Sequence, residues 1–181
     1  AVERLETYTP AWPMPKIFRM TKGGKLIEAL FEGETINTPS MLCVEDYIDA
    51  LLWAQSVGGL EGLIARADAN TACLNELVAS HDGIDFLAKD PATRSNTSVC
   101  LIFTDAKIRA LSADQQAGFA KSVASLLEKE GVALDIGAYR DAPAGLRVWC
   151  GATVEKADVA SLAQWIGWAV EEVKAGLKRS E

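Results

Sequence analysis

Four of the six prolines (Pro10, Pro13, Pro15 and Pro39) fall in the first forty residues, and this clustering limits what each part of the chain can become. A proline disfavours helical backbone at the residue before it and has no amide hydrogen to give to a sheet. Ala11, Trp12 and Met14 are therefore expected in extended, turn-rich chain, with Gly23-Gly24 and Gly33 as further breaks. Beyond Pro39 the apolar spacing turns helical. Met41, Val44, Ile48 and Leu51/Leu52 share one helix face, and Gly58-Gly59 interrupts it. A second stripe follows in Leu60, Leu63/Ile64, Ala67, Thr71, Leu74 and Leu77/Val78. The polar stretch 80–93, with His81-Asp82-Gly83 and Lys89-Asp90-Pro91, is the expected boundary, dividing the chain into 1–80 and 81–181.

The remainder reads as β-α-β-β-α. Thr97–Phe103 is a β-branched, apolar run of strand length. Ser112 with Gln115 three residues on is a capping box, opening a helix that carries Phe119, Val123 and Leu126/Leu127 on one face and ends at Gly131. Val132–Tyr139 and Leu146–Cys150 are expected strands, separated by the turn Arg140–Gly145. A last helix over about 156–177 carries Val159, Leu162, Ile166, Val170, Val173 and Leu177.

A chain of 181 residues, 49% of them apolar, can bury a core without a metal or disulfide. Eighteen Lys and Arg against twenty-five Asp and Glu leave a net charge of −7, which argues against a nucleic-acid or anionic-membrane surface. An anionic ligand must then be met by a few placed cations. The four cysteines (Cys43, Cys73, Cys100, Cys150) form no CxxC pair and His81 is the sole histidine, so no metal site is expected. Their apolar neighbours point to small core thiols in a reducing, cytoplasmic setting. No apolar run approaches the roughly 20 residues that span a bilayer. Ala1–Leu5 has neither an initiator Met nor a signal-peptide pattern and reads like the middle of a helix, so a portion of a longer chain is expected.

Few residues carry chemistry. In Asn37-Thr38-Pro39-Ser40, Asn or Thr would cap a helix with Pro at its first position, and such a terminus attracts phosphate. An ordinary helix cap explains the same residues. Arg147 lies within an apolar strand and shares a face with Trp149, while Arg140 ends the preceding one. Two guanidiniums there suit a dianionic ligand or a pair of plain salt bridges. Arg94 is expected in a structural ion pair. Thr21-Lys22-Gly23-Gly24-Lys25 lacks the pattern of a phosphate loop and reads as a solvated turn. His81 reads as a surface or helix-C-terminal histidine, and Trp149, Trp165 and Trp168 as core packing against the last helix. No nucleophile-base set or dinucleotide fingerprint is present.

Several blocks occur in an order that resembles a known family. They are Tyr8–Pro13, Phe31–Met41, Ala65–Asn70, Thr93–Cys100, Asp135–Arg140 and Gly145–Trp149. Together they resemble the C-terminal half of the phosphoserine aminotransferase family, class V pyridoxal-phosphate enzymes of fold type I, and most nearly its alphaproteobacterial branch. The resemblance implies an α/β fold. Residues 1–80 would end the large cofactor-binding domain and its connecting helices, and 81–181 would form a small α+β domain. It implies pyridoxal 5'-phosphate as cofactor and a homodimer with shared active sites. Asn37 and Thr38 match positions that bind the cofactor phosphate of the neighbouring subunit. Arg147 matches the arginine that holds the substrate α-carboxylate. Arg140 matches the arginine of a His-Arg pair that meets the substrate's phosphate or side-chain carboxylate, with Tyr139 standing where the common branch has His. The family's Schiff-base lysine, pyridine-pairing aspartate and stacking aromatic all precede this segment. Lys16, Lys22 and Lys25 fall after the lysine's place. The chain is thus expected to carry no catalytic residue, to be inactive alone, and to need the N-terminal half of the same protein. The whole enzyme would move an amino group between phosphoserine and 2-oxoglutarate in serine biosynthesis. Two other readings are another class V aminotransferase of the serine- or alanine-glyoxylate type, and a free-standing small-molecule binding module.

Overall fold

The structure, a computed structural model, describes residues 1–177, and the chain separates into two units, Ala1–Trp53 and Ala54–Glu181.

Prolines and glycines shape the first unit as expected. A short helix α1 (Val2–Thr7) precedes the Pro-rich stretch, which forms no regular element until a 3-10 turn at Lys16–Phe18. Thr21–Lys22 (β1) and Lys25–Leu26 (β2) then pair antiparallel, Thr21 opposite Leu26 and Lys22 opposite Lys25. The loop between them is Gly23-Gly24, both at positive φ (61° and 74°), the conformation a two-residue hairpin turn requires. The supposed phosphate-loop look-alike is therefore a solvated hairpin. A 3-10 turn (Glu28–Phe31) leads to helix α2 (Met41–Ser56). Its apolar stripe is helical as the spacing predicts, yet it stays uncovered: Met41 is 62% exposed and Leu52 59%.

The second unit holds the core. Gly58 and Gly59, both at positive φ, follow α2, and α3 (Gly59–Ser80) begins at the second of them. There follow β3 (Ile84–Phe86), β4 (Ser98–Phe103), the short α4 (Ala106–Arg109), α5 (Ala113–Lys129), β5 (Gly145–Trp149) and α6 (Lys156–Leu177). The strands form one antiparallel sheet in the order β3-β4-β5. Alternation makes it two-faced. Ile84, Phe86, Val99, Leu101, Phe103, Leu146 and Val148 are buried, while Asp85, Ser98, Cys100, Ile102, Arg147 and Trp149 occupy the other face. The buried face meets Leu74 and Leu77 of α3, Val123 and Leu127 of α5, and Ile166 and Val170 of α6. Each such side chain contributes on the order of 1.5–3 kcal/mol by leaving water. Phe103 and Phe119 meet edge to face at 5.0 Å.

Local signals set the helix limits. Ser112 and Gln115 form both hydrogen bonds of the capping box, and Gly131, at φ 71°, follows the α5 C-cap Glu130. Gly145 at the head of β5 admits no side chain, because a Cβ there would stand 2.0 Å from the Leu101 carbonyl oxygen.

Several expectations are corrected. Val132–Tyr139 is not a strand. It makes a single bridge, Gly137 to Leu146, and buries only Ile136 between the exposed Leu134, Asp135, Ala138 and Tyr139, so no apolar face exists to hold a ladder. Ile84–Phe86, inside the supposed polar connection, is a strand because Ile84 and Phe86 both reach the core. The two compact units divide within α2, and Ala67, Leu74 and Leu77 of α3 belong to the second unit's interior. Pro39 precedes α2 by two residues rather than opening it; the helical bonding begins with Val44 donating to the Ser40 carbonyl. Cys73 and Cys150 are core thiols, but Cys43 is exposed and Cys100 half-buried. Trp149, Trp165 and Trp168 are 52%, 39% and 40% exposed, so they do not pack in the core.

Candidate functional site

Strand β5 carries the central cation. Its alternation sends Leu146 and Val148 inward and leaves Arg147 on the opposite face, across from Cys100 of β4. The Arg147 amide donates to the Ile136 carbonyl at 2.9 Å, which fastens the irregular segment after α5 along this strand. That segment supplies two contacts to the guanidinium. Asp135 accepts from Arg147 Nη2 at 3.0 Å, and the Tyr139 ring lies 4.6 Å from its central carbon. The Arg147 side chain is 16% exposed and Asp135 88%. Arg147 Nε is buried and, among the described residues, has no hydrogen-bond partner. A guanidinium keeps its charge, so a largely enclosed one needs an anion, and its fork suits a carboxylate or phosphate.

Arg140 is exposed in the turn after Tyr139. With Tyr139, Asp135, Lys121, Ser125 and Glu128 it lines a cavity of about 450 Å³ between α5 and the 133–145 segment. Tyr139 links the two arginines in sequence and space, being the neighbour of one and stacked on the other.

A second layer fixes β4 and β5 to α3. Asn70, 1% exposed, donates through Nδ2 to the carbonyls of Cys150, Gly151 and Val154 at 3.1, 3.2 and 2.9 Å. Arg66 donates to the Ala152 carbonyl and pairs with Glu155. Asp68 accepts from the Asn96 side chain at 2.7 Å, and the Thr71 hydroxyl donates to the Asn96 carbonyl at 2.8 Å. The 65–71 block thus pins the chain on either side of the strands that present Arg147. Nothing in the residue spacing revealed this, although a buried Asn within an apolar stripe is the signal that would have found it.

Other candidates resolve simply. Asn37 and Thr38 are exposed and lie just ahead of α2, in the other unit. Arg94 donates to the Ala88 carbonyl at 3.0 Å and stands 4.1 Å over the Phe86 ring, so among the described residues its partners are carbonyls and a ring rather than the expected carboxylate. His81 caps the C-terminus of α3 and accepts from the Gly83 amide at 3.1 Å. Among the described residues no group of His, Cys, Asp and Glu could hold a metal, and no helix is long and apolar enough to cross a membrane.

Comparison with known proteins decides the relationship. No protein-family model matches the chain. It is 54% identical over 176 residues to the phosphoserine aminotransferase of Methanosarcina barkeri (strain Fusaro / DSM 804), a match that covers 96% of this chain and 44% of that protein. Over nearly its whole length the chain is similar to the C-terminal part of phosphoserine aminotransferases. The phosphoserine aminotransferase of Methanosarcina mazei is 53% identical over 174 residues, with the same coverage. The chain therefore spans less than half the length of the curated relatives it matches. Two solved phosphoserine aminotransferases share its fold. The one from Bacillus circulans subsp. alkalophilus has a TM-score of 0.63 at 18% identity over 75% of this chain and 34% of its own. A second, studied for radiation damage of its Schiff base, has a TM-score of 0.62 at 14% identity over 81% and 38%. The expected α/β character of a phosphoserine aminotransferase is thus present, in small sheets joined by long helices.

Proposed function

We propose that this chain is the substrate-anion-binding part of a transaminase that moves an amino group between phosphoserine and 2-oxoglutarate in serine biosynthesis. The observation that carries the reading is Arg147, a mostly enclosed guanidinium on an otherwise apolar strand, whose one anionic partner among the described residues is an exposed carboxylate. Arg147 holds the substrate α-carboxylate, and Arg140, beside the cavity, meets the phosphate or the second carboxylate. Both roles are binding and orientation, which place the reacting amino acid and set its selectivity.

Asn37 and Thr38 fit a cofactor phosphate. They are exposed hydrogen-bonding side chains ahead of a sixteen-residue helix, and the first-turn amides of such a helix favour an anion. They would hold the phosphate of pyridoxal 5'-phosphate in the neighbouring subunit. That group, when bound, supplies the electron sink for chemistry at an amino acid's α-carbon. No lysine of this chain serves as its attachment point, so the chain alone is inactive.

The reading includes an assembly in the cytoplasm: the N-terminal remainder of the protein, and a second copy to complete a homodimer with shared sites. Support comes from the first unit, in which none of the described residues is buried and Trp12, Leu42 and Tyr47 are 73%, 72% and 66% exposed. So much apolar surface marks a face that other protein covers. The test is phosphoserine-dependent conversion of 2-oxoglutarate to glutamate by the whole protein. Arg147→Ala should raise KM for both substrates about a hundredfold or more, as loss of a charge-assisted carboxylate contact does. Unchanged KM values would overturn the reading.

A further inference from the structure

We infer that Asp135 and Tyr139 are positioning residues for Arg147, with Asp135 serving as an internal stand-in for the carboxylate that Arg147 receives. This rests on the reading of Arg147 as the carboxylate-binding group.

Three observations carry it. The pair is asymmetric: Arg147 is 16% exposed and held within the strand, whereas Asp135 is 88% exposed and meets Nη2 through one oxygen at 3.0 Å. Such a carboxylate is free to leave, because water solvates it fully when it swings away, and an exposed ion pair is weak. Second, the fork is only partly used. Nε is buried without a partner among the described residues, so the guanidinium has donor capacity that Asp135 does not fill. Third, the Tyr139 ring at 4.6 Å covers one face of the guanidinium and limits its rotation while Asp135 is away. Asp135 and Tyr139 also both border the 450 Å³ cavity that Arg140 lines, although Arg147 itself does not line it.

The exchange has a simple electrostatic logic. Without ligand, Asp135 neutralises a cation that would otherwise sit enclosed and unpaired. An incoming carboxylate replaces Asp135 one for one, and the charge of the site is unchanged. Binding is weakened by whatever the Asp135 contact contributes, so removing that contact should tighten ligand binding. Tyr139 acts through its ring face, and its hydroxyl should be dispensable.

The experiment is calorimetric titration of the whole, cofactor-loaded protein with glutarate, a dicarboxylate that cannot accept an amino group. Asp135→Asn should tighten glutarate about two- to fivefold, the size of an exposed ion pair. It should lower KM for phosphoserine to a similar degree and leave kcat unchanged. Tyr139→Leu should weaken glutarate about two- to fivefold, and Tyr139→Phe should match the parent protein. If Arg147→Ala abolishes binding while Asp135→Asn leaves it unchanged or weaker, the stand-in role is refuted and the reading of Arg147 survives. If Tyr139→Phe weakens binding as much as Tyr139→Leu, the ring-face role is refuted. If Arg147→Ala leaves glutarate binding intact, the reading of Arg147 falls, and this inference with it.

Discussion

Replacing Asn70 by Ala tests how the strands are held at the α6 end. The Asn70 side chain is 1% exposed, and its two amide hydrogens serve three carbonyls, so at least one bond is shared. Gly151 keeps a second donor, the Val154 amide at 3.1 Å, so its loss is small. The carbonyls of Cys150 and Val154 would be left facing an empty, dry space. Each stranded group costs about 1–3 kcal/mol, and the lost amide leaves a small void, so Asn70→Ala should cost about 3 kcal/mol in total. Asn70→Asp should cost more at neutral pH, because it points a carboxylate at three carbonyl oxygens. Its buried carboxyl would have a raised pKa, so that extra cost should shrink as the pH falls and the group protonates. Urea denaturation at pH 7 and pH 4 measures both. A cost below about 0.5 kcal/mol for Asn70→Ala, or an Asp variant more stable than the Ala variant at pH 7, would refute the reasoning.

Three further outcomes are expected. Gly145→Ala should lower the melting temperature strongly, because its Cβ would meet the Leu101 carbonyl at 2.0 Å, while Gly118→Ala, with nothing within 4 Å in mid-helix, should gain about 0.5–1 kcal/mol in the same scan. Asp105 is held below its usual 3.8, first by the hydrogen bond from Lys174, whose ammonium lies 2.9 Å away, so its stabilisation is present above that value and is lost as the pH falls through the lowered one. Asp105→Asn keeps the cap on the Lys107 amide and should flatten the fall in stability below about pH 4, read by denaturation against pH. Burial pushes the Cys150 thiol up to about 11, so iodoacetamide at pH 8 should label the exposed Cys43 of this chain well before Cys73 or Cys150, and label all of them once urea unfolds it.

Sequence reasoning reached the parts of the fold that rest on local signals. The Ser112–Gln115 box, Gly131 and the stripe from Val159 to Val170 fix α5 and α6 within the chain itself. It failed where the determining contact is distant. Ile84–Phe86 is a strand because Asp85 pairs with Ile102, and no three-residue window contains that information. Val132–Tyr139 has strand-like composition, but its glycine and its exposed Leu134 allow only one bridge. The exposure of α2's apolar stripe was equally hidden, since periodicity shows that a face exists and not what covers it. At the site, alternation alone put Arg147 on the correct face of β5. The partners that define its environment, Asp135 and Tyr139, come from the irregular segment and were invisible as partners. The part played by residues 65–71 was legible only as a block resembling a family, without its physical reason.

The most direct measurement is intact-mass analysis after adding pyridoxal phosphate and reducing with borohydride. It is made on this chain alone and on this chain co-expressed with the N-terminal remainder of the protein. The account predicts no stoichiometric pyridoxyl adduct on this chain in either sample and one adduct on the companion polypeptide, with phosphoserine turnover only in the assembled sample. A stoichiometric adduct on a lysine of this chain, accompanied by turnover without the companion, would contradict it.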